Sequence, residues 1–261
     1  MKRRVFELIS IAVIAVGALL PTTAGADALD EVMKKKLIRI AVPQDFPPLG
    51  SVGTDLKAQG LDIDVAEMIA KDLGVRLELV PVSSANRIPY LQTNKVEAII
   101  SSLGKNPERE KTIDFSKAYA PFFNGVFGPA EIKVSKIEDV GTRPMGVTRG
   151  SVEDIEISRL LPAGNIKRYE DNNSTISAFL SGQVELIATG NVVAAAIIAK
   201  NPPRKPETKF LIKNSPCFIG IAKNEPKLMA KLNDIIDRAK ADGRLDKIAQ
   251  KWLGQPLPRD L

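Results

Sequence analysis

The stretch Gly60-Leu-Asp-Ile-Asp-Val-Ala-Glu-Met-Ile-Ala-Lys-Asp-Leu-Gly74 constrains the fold more than any other part of the chain. Val65, Met68, Ile69 and Leu73 recur at the helical period, so one helix face is apolar and needs a core to cover it. Both ends are punctuated. Asp64 is placed to cap the first turn with Glu67 as its capping-box partner, and Gly74 offers a left-handed stop. The residues just after Gly60 read as a short β step. A glycine turn, a β step and an amphipathic helix make one βα unit of an α/β domain.

More such units follow. Residues 29–36 read as a short basic helix, 37–42 as a first strand, 44–49 as a Pro-rich loop and 57–60 as a hairpin-like turn. Residues 75–82 and 95–101 read as strands around a helix over 87–93. Strands alternating with helices predict a parallel sheet. Two apolar segments, 119–129 and 217–223, interrupt the alternation. Between them lie strands over 145–148, 166–169 and 184–188 and helices over 152–161 and 174–181. Helices over 227–241 and 245–253 end the chain, with Asp242-Gly243 as the stop between them. An α/β unit bracketed by two chain crossings predicts two lobes joined by a double hinge. One lobe holds residues 29–120 with 222–261, the other 124–215, with crossovers near 119–124 and 215–222.

Lys2, Arg3 and Arg4 precede an apolar run over residues 9–20, and Ala24-Gly25-Ala26 fits a small-x-small cleavage site, with Ala26-Asp27-Ala28 a second option. The run is well short of the roughly 20 residues of a spanning helix. It predicts a cleaved signal peptide over residues 1–26 and a mature chain in the periplasm. No cysteine follows the run, which argues against a lipid anchor. Removing residues 1–26 takes away Lys2, Arg3, Arg4 and Glu7 and lowers the formal net charge from +6 to +4. That charge is mild and spread out, with no aromatic-rich basic cluster, so no nucleic acid is expected. Cys217 is the only cysteine and His is absent. An intrachain disulfide, a His/Cys metal site and a Ser-His-Asp or Cys-His catalytic arrangement are all excluded. Cys217 reads as a buried strand residue and Trp252 as a packing residue.

The 60–74 stretch closely resembles the signature of bacterial extracellular solute-binding proteins of the polar amino-acid class, the receptors of ABC importers. The layout resembles that family over nearly the whole mature chain. The resemblance implies an α/β, two-lobed periplasmic-binding-protein fold of type II, whose lobes close over a ligand and deliver it to a membrane permease. It implies a monomer that binds an amino acid or small carboxylate and uses no cofactor.

Ligands of open α/β sheets bind beyond the carboxyl ends of the strands, so the loops after strands hold the candidates. Ser101, Ser102 and Gly104 lead into Pro107-Glu108-Arg109, which resembles the family loop whose arginine grips the ligand α-carboxylate. A guanidinium fork suits that role better than an ammonium. A surface Arg109 paired with Glu108 or Glu110 is the alternative from the residues alone. Thr148, Gly150, Ser151 and Val152 open a helix whose free N–H groups suit an anion, and they resemble the segment that meets the carboxylate from the second lobe. Arg87 resembles the arginine with which the acidic-amino-acid subset reaches the side-chain carboxylate, and a helix-surface arginine carries nearly equal weight. Asp45-Phe46-Pro47-Pro48 resembles the first-loop segment, with Phe46 as a pocket wall.

Two positions depart from the family. Gly104 stands where most members have Ser or Thr. Gly190 stands where an aspartate usually binds the α-ammonium, leaving Thr189 and Asn191 nearby. An ammonium would then meet the Ser102 carbonyl, Asp45 or Asn172. Arg87, Arg109 and a third candidate, Arg149, without that carboxylate, point to anionic ligands and even to acids with no amine. An aspartate restored at position 190 is expected to favour amine-bearing ligands. Periplasmic dehydratases resemble this family and use cleft carboxylates as acids. Asp45 and Glu153 are the only candidates here and lack a recognisable partner, so no enzyme is expected. A ligand-sensing partner of a membrane receptor is a third reading.

Overall fold

A computed structural model describes residues 27–261. The expected signal peptide, residues 1–26, lies outside them. In chain order the elements are α1 (Ala28–Lys35), β1 (Leu37–Pro43), β2 (Asp45–Phe46), β3 (Gly50–Val52), β4 (Ala58–Gln59), α2 (Leu61–Leu73), β5 (Arg76–Val82), α3 (Arg87–Gln92), β6 (Ala98–Ile99), α4 (Pro107–Glu110), β7 (Ile113–Ala120), β8 (Phe123–Gly128), β9 (Met145–Thr148), α5 (Val152–Leu160), β10 (Ile166–Tyr169), α6 (Asn172–Leu180), β11 (Leu186–Gly190), α7 (Asn191–Ala199), β12 (Glu207–Asn214), β13 (Cys217–Ala222), α8 (Pro226–Ala241) and α9 (Arg244–Leu253). They build two five-stranded sheets, ordered β5-β1-β6-β13-β7 and β10-β9-β11-β8-β12, and a small β2-β3-β4 sheet. The chain passes between the large sheets twice, through Pro121 and Phe122 and through Ser215 and Pro216. Residues 217–222, expected within the second crossover, pair instead in the first sheet.

Both large sheets are mixed, where the strand–helix alternation predicts parallel ones. β1 runs parallel to β5 and β6, and β9 to β10 and β11. β13 and β7 pair antiparallel, as do β8 and β12. These four strands adjoin the two passages. A strand that arrives from the other sheet needs no helical crossover, so nothing forces it parallel.

Helix α2 buries Val65, Met68, Ile69 and Leu73, the face read from the sequence, in one cluster with Ile38, Ile40, Ile219 and Ile221. Full burial of each such side chain contributes roughly 1.5–3 kcal/mol. Its start differs from the expected one. The helix begins at Leu61, directly after Gly60, so no β step intervenes, and Asp64 caps nothing. The N–H groups of Leu61 and Asp62 bond to the carbonyls of Pro48 and Leu49 at 3.0 and 2.9 Å. That close approach requires glycine, because a Cβ at Gly60 (φ 142°) would stand 2.2 Å from the Leu49 oxygen. The freed Asp64 carboxylate accepts from Lys251 Nζ at 2.7 Å and Trp252 Nε1 at 2.8 Å, tying α9 to α2. Gly74 ends the helix in the left-handed region, φ 68°. Cys217 is fully buried. Among the described residues, no helix is long and apolar enough to cross a membrane.

Candidate functional site

Loops after β2, β5 and β6 of the first half face loops after β9 and β10 of the second. Between them lies a small cavity with room of about 20 Å³. Of the candidates read from the sequence, Phe46, Arg87, Ser102, Gly104, Ser151, Val152 and Asn172 line it. Its remaining walls are Ser84, Phe122, Asn124, Glu153 and Ser215.

Arg87 opens α3 and is 3 % exposed. Its guanidinium donates through Nη1 to the Ser101 carbonyl, while Nε has no partner. The surface alternative for Arg87 is therefore excluded. The Ser102 backbone is in the left-handed region (φ 43°), and its N–H donates to Asp62 Oδ2 at 2.7 Å. Tyr119 Oη donates to the other Asp62 oxygen at 2.7 Å. Burial pushes the Asp62 carboxyl up to about 7 against the pull of these two bonds. Burial likewise lowers Arg87 and raises Glu153 from their ordinary values.

Arg109 is also buried, but it is not a cavity wall. Asn106 Oδ1 accepts from its backbone N–H at 2.8 Å and so caps α4. Nη1 donates to the Gly104 carbonyl at 2.7 Å and Nη2 to the Gly150 carbonyl at 2.9 Å. One guanidinium thus holds both sides of the cleft. Burial lowers it to about 9, which leaves it charged at neutral pH. The paired-surface alternative for Arg109 is excluded as well.

Asp45 is a second bridge across the cleft. The Asn172 backbone N–H donates to its Oδ2 at 2.6 Å and Asn172 Nδ2 to its Oδ1 at 3.1 Å. The carboxylate thereby closes onto the first turn of α6. Thr148 is one layer further back. Its hydroxyl donates to Asn172 Oδ1 at 2.9 Å and lies 2.8 Å from the Thr175 hydroxyl. Gly150 (φ 73°) packs so closely that a Cβ would meet the Ala85 Cα at 2.9 Å. Ser151 caps α5 by accepting from the Asp154 N–H at 3.0 Å. At Gly104 a Cβ would stand 2.2 Å from Ser215 Oγ, so the departure there makes room for Ser215.

Gly190 and Asn191 are not brought to the cavity. A Cβ at Gly190 would lie 2.0 Å from the Phe122 ring, which occupies that space and lines the cavity itself. An aspartate at position 190 therefore requires the Phe122 ring to shift. Asn191 accepts from the Phe123 N–H at 3.1 Å and steadies the first passage. Arg149 pairs with the exposed Glu170 at 2.8 Å and adds no third cation.

The walls missed in the sequence come mostly from the two passages. Phe122, Asn124 and Ser215 carry no motif. Their signal was positional, because segments between two sheets border the cleft by necessity. The sequence points to Glu153 only as a candidate acid. It is 4 % exposed and accepts from Asn124 Nδ2 at 2.6 Å.

Residues 38–255 match the family model described as bacterial extracellular solute-binding proteins, family 3. The glutamine-binding protein of a Bacillus subtilis ABC transporter is 28% identical over 200 residues, covering 75% of this chain and 72% of that protein. A solute receptor for L-cysteine of Neisseria gonorrhoeae superposes with a TM-score of 0.81 at 28% identity, covering 86% of this chain and 93% of that one. An ancestral amino acid-binding protein, a precursor of cyclohexadienyl dehydratase, superposes with a TM-score of 0.77 at 30% identity, covering 87% and 99%.

Proposed function

The chain belongs to the bacterial extracellular solute-binding proteins, family 3, and on that premise we propose that it captures an acidic amino acid or similar small carboxylate for an ABC importer. It is a transport receptor and not an enzyme, as its family is one of solute receptors. In this reading residues 1–26 direct export to the periplasm, and the mature monomer hands its ligand to a membrane permease. Residues 27–120 with 217–261 and residues 123–214 act as lobes that close about the two passages.

The observation that carries the ligand class is the Arg87 guanidinium, buried in the cavity wall with Nε unpartnered. A buried guanidinium N–H left without an acceptor is costly, and a ligand carboxylate supplies that acceptor. Arg109 serves a second carboxylate. A carboxylate is a stronger acceptor than a carbonyl, so a ligand entering between Gly104 and Gly150 takes over its two bonds. The enzyme reading has no support in the geometry, because both cleft carboxylates are held by asparagines, Asp45 by Asn172 and Glu153 by Asn124.

Titration calorimetry on Arg87→Ala and Arg109→Ala tests this. Breaking a buried charge pair costs roughly 2–5 kcal/mol, a loss of about 30-fold to a few thousandfold. Arg109→Ala is expected to lose that much for every ligand bound, and Arg87→Ala far more for acidic than for neutral ligands. Affinities within threefold of wild type would overturn the assignment.

A further inference from the structure

We infer that Glu153 and Asn124 receive an ammonium group of the ligand, so that the receptor requires an amine-bearing solute. The inference rests on the reading of the cavity as the ligand site, and it adds what the cavity demands of that ligand. Glu153 is the second residue of α5 and is 4 % exposed. Its nearest cations are Arg87 and Arg109, whose bonds go to backbone carbonyls of Ser101, Gly104 and Gly150. Neither guanidinium bonds the Glu153 carboxylate. Asn124 Nδ2 does, at 2.6 Å, together with the Ser151 side chain and the Glu153 backbone N–H. That bond turns the amide oxygen of Asn124 away from any donor, and it remains unpartnered in a residue only 2 % exposed. Ser215 Oγ, in the same wall, is also buried and unpartnered.

The cavity is therefore polar. Arg87 presents a free N–H to it. The Glu153 carboxylate lines the same cavity, with the unpartnered Asn124 amide oxygen and Ser215 hydroxyl beside it in the wall. An ammonium carries three N–H donors and one positive charge, which suits that acceptor group. The Phe46 and Phe122 rings, 6.2 Å apart, form the apolar part of the wall, and a charge so shielded from water needs an opposite charge beside it. The amine is thus met from the start of α5, while the strand end at Gly190 is closed off by Phe122.

The test compares matched ligand pairs that differ only in the amine, L-glutamate with glutarate and L-glutamine with 4-carbamoylbutanoate, on wild type and Glu153→Gln. The variant keeps the size of the side chain and an oxygen for Asn124, and its melting curve checks that it folds. Wild type is expected to prefer the amine-bearing member of each bound pair by at least about tenfold. Glu153→Gln should bring that ratio to within about threefold, with the amine-free member bound as well as before or better. Wild type binding both members of a pair alike, or Glu153→Gln weakening both equally, would overturn the inference. A Glu153-dependent preference seen with the glutamine pair alone would sink the acidic-ligand reading and leave this inference standing.

Discussion

Phe122 and Gly190 share one space. Because a Cβ at position 190 would fall 2.0 Å from the ring, Gly190→Asp must displace a side chain that is only 5% exposed. Overpacking of this kind costs roughly 1–3 kcal/mol, a fall in melting temperature of about 2–12 °C at this size. No gain in affinity for amine-bearing ligands is expected, and the added Phe122→Ala change should recover part of the lost stability. An unchanged melting temperature together with a stronger preference for amines would show that the ring moves freely. Asp62 sets a pH dependence. Burial raises its carboxyl from 3.8 to about 7, so the folded state holds the proton more tightly than the unfolded chain. Its contribution to stability is full below about 3.8 and is lost as pH rises through about 7. Thermal melts between pH 4 and pH 8 should therefore slope downward more steeply in wild type than in Asp62→Asn. Parallel curves would remove Asp62 as the cause. Little of this was legible at the residue scale. Phe122 and Gly190 are distant in sequence, and neither signals its need for the other.

At the scale of elements, α6 docks across the cleft through its first residue. Asp45 of β2 accepts both donors of Asn172, a contact that exists only when the two halves meet. Hydrogen bonds to a charged group contribute roughly 1.5–3 kcal/mol. Asp45→Ala is thus expected to speed ligand release roughly ten- to hundredfold and to leave the association rate nearly unchanged. Stopped-flow measurement separates the two rates, and a variant slow to associate but normal in release would contradict this role. Elements were the most legible level in the sequence. The buried face of α2 and its glycine stop followed from periodicity and turn chemistry. Its start did not, because Pro48 and Leu49 supply the capping carbonyls from another part of the chain. The mixed sheets escaped for a similar reason, since alternation of strands and helices says nothing of a strand arriving from the other half.

For the whole molecule, closure depends on a few buried contacts. The exposed Arg159–Glu108 pair across the cleft belongs to a class worth about 0–1 kcal/mol. The Arg109 and Asp45 bridges are buried and weigh more, yet they leave a cavity with Arg87 Nε, Asn124 Oδ1 and Ser215 Oγ unpartnered. In the proposed reading, a ligand that supplies those partners favours the closed state. The sequence carried the two-half layout and seven of the cavity walls, because loops after strands can be read from motifs. Phe122, Asn124 and Ser215, at or beside the passages, carry none. The most direct test of the account is a melting panel of acidic, neutral and basic amino acids with small dicarboxylates. At 100 times Kd a ligand stabilises by about 2.7 kcal/mol, a rise of roughly 5–11 °C here. The account predicts that rise for glutamate, aspartate or a close acidic relative. A clear rise with lysine, arginine or histidine, and none with any acidic compound, would contradict it.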